Sequence, residues 1–200
     1  MQHKVKVTVI DKKLYSDLQA EFCADPDAGA CPCYHVGDEF LFERYGKADD
    51  FWHMGLRTLK NDVKNTASVA GKDAFPHCSE AWDAISRYIY TGLQGGSIMR
   101  GWMNDERIMI ACCSDGTRPV IFKIERLDYK AVYVEGISCD ACRAKIRKAL
   151  EGIEEVKDVI FRKEEGEKEY IELFLDKDIG DDVIRDTVQS LGEYQIVRID

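Results

Sequence analysis

Two cysteines three residues apart, Cys139 and Cys142, stand where a β-rich run hands over to a helical one. Residues at i and i+3 share a helix face, so both sulfurs can point the same way. In the first turn of a helix, unpaired backbone N–H groups and the positive end of the dipole favour thiolate over thiol, which turns the pair into ready ligands. Thiolates select soft ions, Cu(I) above all, with Zn(II) and other thiophilic ions also served. Two ligands from one chain suit Cu(I), which accepts low coordination, whereas a structural zinc site takes four. An open, under-coordinated ion can be passed to a partner's thiols, so the implied partner is a metal-donor or metal-acceptor protein. The same spacing serves a thiol–disulfide redox pair, although the Trp before the motif and the parallel βαβ surroundings of thioredoxin-like pairs are missing. A third reading is a domain that keeps two cysteines without using them.

Six further cysteines precede this pair. Cys31, Cys33 and His35 share one face if that stretch is extended, and His77, Cys78, Cys112 and Cys113 add soft ligands. Brought together by a fold, Cys31, Cys33, Cys78 and Cys113 would make a second metal or iron–sulfur centre, or a redox centre. The alternative function is therefore a thiol- or metal-dependent redox enzyme centred on these N-terminal cysteines. The blander reading is that they are buried apolar residues, and Cys112 and Cys113 on one strand point to opposite faces. His53, beside Trp52, reads as an ordinary packed or surface histidine, and Asp115 and Arg118 as turn residues. The chain carries no phosphate-binding glycine loop, Gly-x-Ser-x-Gly elbow or His-Glu-x-x-His helix, so no catalytic residue is named and a binding role leads over an enzyme.

The elements that must position these residues fall into two sets. Val5, Val7 and Val9 alternate with polar residues, which predicts a strand, and a short helix over 14–22 follows. Residues 23–33 carry Asp25-Pro26-Asp27, Gly29 and Pro32 and read as a loop. A turn through Gly37 leads into a strand ending near Phe42, and a helix is expected within 50–65. After Ser79, taken as an N-cap, Trp82, Ile85, Tyr88, Ile89 and Leu93 recur at helical spacing until Gly95-Gly96. Runs over 107–113 and 120–127 are joined by Ser114-Asp115-Gly116-Thr117, a hairpin signal. From about Asp128 the order becomes strand 131–135, helix 140–150, strand 156–161, a third strand carrying Ile171, Leu173 and Leu175, a helix lined by Val183, Ile184, Val188 and Leu191, and strand 194–199. That order is the split βαβ, or ferredoxin-like, arrangement. The expected architecture is α+β throughout: an N-terminal domain over 1–128 of undetermined topology and a ferredoxin-like βαββαβ domain over 129–200.

Gly136-Ile137-Ser138-Cys139-Asp140-Ala141-Cys142, between the first strand and first helix of this order, resembles the heavy-metal-associated domain of copper chaperones and metal-transporting ATPases. The resemblance covers residues 130–200 and implies metal capture by Cys139 and Cys142. The family usually has Met two residues before the first Cys, where this chain has Ile137 and keeps the apolar character. Near the last strand the family often shows Gly-Tyr; here the run is Gly192-Glu193-Tyr194, and Tyr194 is the implied neighbour of the site. Asp140 puts an acidic group between the ligands. Residues 1–128 resemble a family of small proteins known only by a catalogue number, through Cys31-Pro32, Gly37-Asp38-Glu39-Phe40, Cys78 with Ala81-Trp82 and Ile85, and Cys113 with 115–126. That family brings no activity with it.

The totals bound the partners. A net charge of -9 argues against general affinity for a phosphate backbone, so nucleic acid is not an expected partner. With 45% hydrophobic and 32% charged residues the chain can bury a core. The first residues lack the apolar stretch of a signal peptide, and runs such as 108–113 fall short of a membrane span. The expected location is the cytosol without membrane insertion, where cysteines serve as ligands, redox thiols or buried apolar groups. The oligomeric state is not legible.

Overall fold

The computed structural model describes residues 1–44, 59–64, 78–163 and 169–200. It is a mixed α/β chain whose paired strands run antiparallel. Two compact units emerge, residues 4–126 and residues 127–200 with Met1–His3.

In the N-terminal unit, the alternating valines form strand β1 (Gln2–Lys12), with Val5, Val7 and Val9 buried. A short helix α1 (Ser16–Phe22) follows, and then strand β2 (Glu39–Arg44), which pairs with β1 so that Val5 meets Phe42 and Val7 meets Phe40. Strand β3 (Leu59–Lys64) pairs with β2, so residues 59–64 of the segment expected to be helical are extended. The rest of that expectation, and His53 and His77, lie outside the described residues. Helix α2 (Ser79–Leu93) starts one residue earlier than a Ser79 cap implies, because Cys78 itself holds the N-cap position in an extended conformation. Strand β4 (Ile108–Cys112) pairs with the first half of strand β5 (Val120–Glu135). Val5, Val7, Phe40, Phe42, Phe122 and Ile124 from the sheet and Ile85 and Ile89 from α2 share one core. The helix comes close: a Cβ on Gly92 would meet Val5 Cγ2 at 2.7 Å, so only glycine lets α2 approach β1 this far.

The hairpin between β4 and β5 is built by a side chain. Asp115 Oδ1 accepts from the Thr117 N–H at 2.9 Å and the Arg118 N–H at 3.2 Å, an Asx-type turn, while the Cys113 sulfur accepts from the Val120 N–H at 3.3 Å. Asp115 and Arg118 thus act as the turn residues that their spacing implies.

Two strands were expected around a break at Asp128, but β5 runs on without interruption. Its buried polar residues are compensated from afar. Asp128 meets His3 Nδ1 at 2.8 Å, and the Lys130 ammonium donates to the Ile179 carbonyl at 2.6 Å and to Asp181 at 2.8 Å. A paired charge inside a strand costs far less than an unpaired one, so the strand has no reason to end there.

In the C-terminal unit, β5 is followed by helix α3 (Asp140–Leu150), strands β6 (Val156–Arg162) and β7 (Tyr170–Leu175), helix α4 (Asp181–Gln189) and strand β8 (Gln195–Ile199). The strand order is β8-β5-β7-β6. Ile146 and Leu150 of α3 and Ile184 and Val188 of α4 join Val132, Val159, Ile171 and Leu173 of the sheet in a second core. Burying each such aliphatic side chain contributes about 1.5–3 kcal/mol. This anchors the start of α3, and with it the cysteine pair, on a packed base. Among the described residues, no helix is long and apolar enough to cross a membrane.

Candidate functional site

Cys139 is the N-cap of α3, with φ -152° and ψ 164°. Its sulfur accepts from the Cys142 backbone N–H at 3.3 Å, doing the work that a Ser or Asp oxygen usually does at a helix start. That capping bond turns Cys139 back over the first turn, where the Cys142 sulfur lies 2.6 Å from its own. Both thiols are free, Cys139 exposed and Cys142 half-buried. The sequence pattern therefore placed both sulfurs on one side of the helix mouth, and the structure brings them together.

The electrostatics favour the anion. The Cys139 thiol, then the Ser138 backbone and the Tyr194 hydroxyl, all hydrogen-bond to the Cys142 sulfur and hold it down to about 6. In return, the Cys142 sulfur raises the Tyr194 hydroxyl above the usual phenol range. Tyr194 packs partly against the C-terminal core, and Ile137 does the same beneath the motif. Asp140 is exposed and engaged: its carboxylate takes the Arg143 guanidinium at 2.5 Å, while Arg143 also reaches Glu169 at 2.8 Å. The acidic residue of the motif is thus partly neutralised. Ser138, whose hydroxyl stands 3.9 Å from the Cys142 sulfur, was not singled out by the sequence. A serine just before a capping cysteine is the only signal that it gave.

Gly136 fixes the approach to the site. It sits at φ 93°, and a Cβ there would meet the Glu193 carbonyl at 2.9 Å and Tyr194 Cδ1 at 3.5 Å. Gly136→Ala is expected to destabilise the chain by about 1–3 kcal/mol, the usual cost of a non-glycine residue in that region. The measurement is the urea midpoint of the full chain, and an unchanged midpoint would contradict the account of this turn.

The N-terminal candidates are placed differently. The stretch carrying Cys31, Cys33 and His35 is a loop, since Asp38 Oδ2 accepts from the His35 N–H at 2.8 Å and bends the chain. Cys31, Cys33 and Cys78 are half-buried against the N-terminal core, Cys113 is buried, and Cys112 is exposed. The last two do face opposite ways. Cys113 spends its sulfur on the hairpin. Among the described residues, no group of three or more His, Cys, Asp or Glu side chains is gathered to hold a metal ion.

No family model, no curated protein and no solved structure matches the chain.

Proposed function

We propose that the C-terminal unit binds a soft metal ion, Cu(I) before Zn(II), through Cys139 and Cys142, and passes it to a metal-accepting partner protein. One observation carries this reading: two free thiols meet at the open mouth of α3, one of them held ionised near neutral pH. Soft thiolates in an exposed pair suit an ion that must be both gripped and released. The element order and the strand order β8-β5-β7-β6 support reading the unit as ferredoxin-like, and the motif's resemblance to heavy-metal-associated domains supports the same function. The reading belongs to a reducing compartment such as the cytosol, where thiols persist.

Two sulfurs that share an ion at about 2.3 Å stand roughly 3.8–4.6 Å apart, depending on the angle between them. Uptake therefore needs a side-chain rotation at the exposed Cys139. The test is a titration of the full, reduced chain with Cu(I) against a chromophoric chelator. The expected result is withdrawal of one ion per chain, and a chain that withdraws none ends the reading.

The 2.6 Å separation also favours a second reading, in which Cys139 and Cys142 close a disulfide and exchange it with another thiol. A bonded pair of sulfurs stands at about 2.0 Å, so little movement is needed. Metal uptake that persists after the pair has been oxidised would speak for neither.

A further inference from the structure

The loop before β2 and the start of α2 bring three more thiols together. Cys33 has the Cys31 thiol as a side-chain hydrogen-bond partner and the Cys78 thiol within electrostatic reach, and all three pack half-buried against the N-terminal core. The Arg118 guanidinium lies within electrostatic reach of Cys31 and Cys33.

The surroundings hold this cluster firmly. The Lys12 ammonium donates to the carbonyls of Cys31 at 2.6 Å and Tyr34 at 2.7 Å, clamping the loop on both sides of Cys33. Tyr34 is buried edge-on against Phe40 and Phe122, and its hydroxyl is hydrogen-bonded to the Cys78 backbone, which ties the loop to the start of α2. Arg118 is itself gripped by Asp115 Oδ2 at 3.0 Å. Such fixed outer contacts are what a reactive constellation needs.

We infer that Cys31, Cys33 and Cys78 form a thiol–disulfide exchange centre that takes a small disulfide as its oxidant. The Cys31 thiolate attacks one sulfur of R–S–S–R, forming a mixed disulfide and releasing RS⁻, which takes up the proton that Cys31 gave up. Cys33 then attacks the Cys31 sulfur. A Cys31–Cys33 disulfide forms, the second RS⁻ leaves and receives the Cys33 proton. Two protein thiols lose two electrons and one small disulfide becomes two thiols. Attack by Cys78 on Cys33 can move the bond onto α2 and free Cys31. Burial, and then the Cys31 and Cys78 thiols beside it, push the Cys33 thiol up, which fits the resolving sulfur rather than the first attacker.

This inference is independent of the metal reading, so it is tested with the Cys139→Ser, Cys142→Ser double variant of the full chain. The reduced protein is incubated with oxidised glutathione, blocked with iodoacetamide, digested with trypsin and mapped by tandem mass spectrometry. The expected result is loss of alkylation at Cys33, in a disulfide within peptide 14–44 or linking it to peptide 73–87, with exposed Cys112 giving only a mixed disulfide. Adding Cys33→Ala is expected to stop the reaction at glutathione on Cys31, with an unchanged far-ultraviolet circular dichroism spectrum as the check on folding. Full alkylation of Cys33 after oxidation, or glutathione retained on Cys31 while Cys33 is present, would overturn the proposal; the first measurement needs no substitution in the cluster.

Discussion

Changing both Cys139 and Cys142 to serine is expected to weaken Cu(I) binding by more than about a hundredfold while leaving the fold intact. Outer contacts to metal ligands typically cost ~10–100-fold when removed, and this change removes the ligands themselves. A serine hydroxyl stays protonated at neutral pH and is a hard donor, so it does not replace a thiolate for a soft ion. Stability should hardly move, for a reason specific to this site. Cys139 caps α3 through its sulfur, and serine is among the preferred N-cap residues, so the capping bond to the residue 142 N–H survives with oxygen in place of sulfur. The measurement pairs a chelator competition with a urea melt. Equal affinity in the two proteins would remove Cys139 and Cys142 from the metal account. A large loss of stability would leave the affinity result open to a trivial explanation, which the capping argument predicts will not arise.

The parts legible in the sequence were those set by local pattern. Helix α3 announces itself because Ile146 and Leu150 recur at helical spacing, and both are fully buried. The alternation of Val5, Val7 and Val9 did the same for β1. What escaped was set by distant partners. Nothing near Asp128 or Lys130 reveals that His3 and the 178–181 segment neutralise them, so the continuity of β5 was hidden. The N-terminal thiols show the same limit. Cys33 and Cys78 are far apart in sequence, and nothing in the pattern between them reveals that the Cys78 thiol comes within electrostatic reach of Cys33. His35 would share a face with Cys31 and Cys33 only in an extended stretch, and the Asp38 carboxylate instead holds that stretch in a loop. At the candidate metal site, the pair itself was legible, whereas the direct bond from Tyr194 to Cys142 depended on how the last strand returns.

The alkylation rate of Cys142 is expected to rise with pH through a midpoint of about 6 and to level off above it, three units below the ordinary thiol value of 9.0. The sign follows from the cause: hydrogen bonds from the Cys139 thiol, the Ser138 backbone and the Tyr194 hydroxyl stabilise the thiolate, so the proton leaves at lower pH and returns only below the midpoint. Ionisation alone would make the sulfur about ninetyfold more available at pH 7 than a thiol that titrates at 9.0. A less basic thiolate is also a weaker nucleophile, by roughly twentyfold for three units at a Brønsted slope of about 0.45. The net acceleration is therefore only about fourfold at pH 7 but about twentyfold at pH 6, which makes the midpoint, rather than the neutral-pH rate, the decisive readout. Cys139→Ala removes the largest of the three contributions, and Tyr194→Phe a smaller one, so both should move the midpoint upward and in that order. Mapping by tandem mass spectrometry separates Cys142 from Cys139 on the same peptide. A midpoint at 8 or above in the unmodified chain would mean that a proton must be expelled before this sulfur can take a cation, and the helix mouth would lose its claim to a preformed ligand.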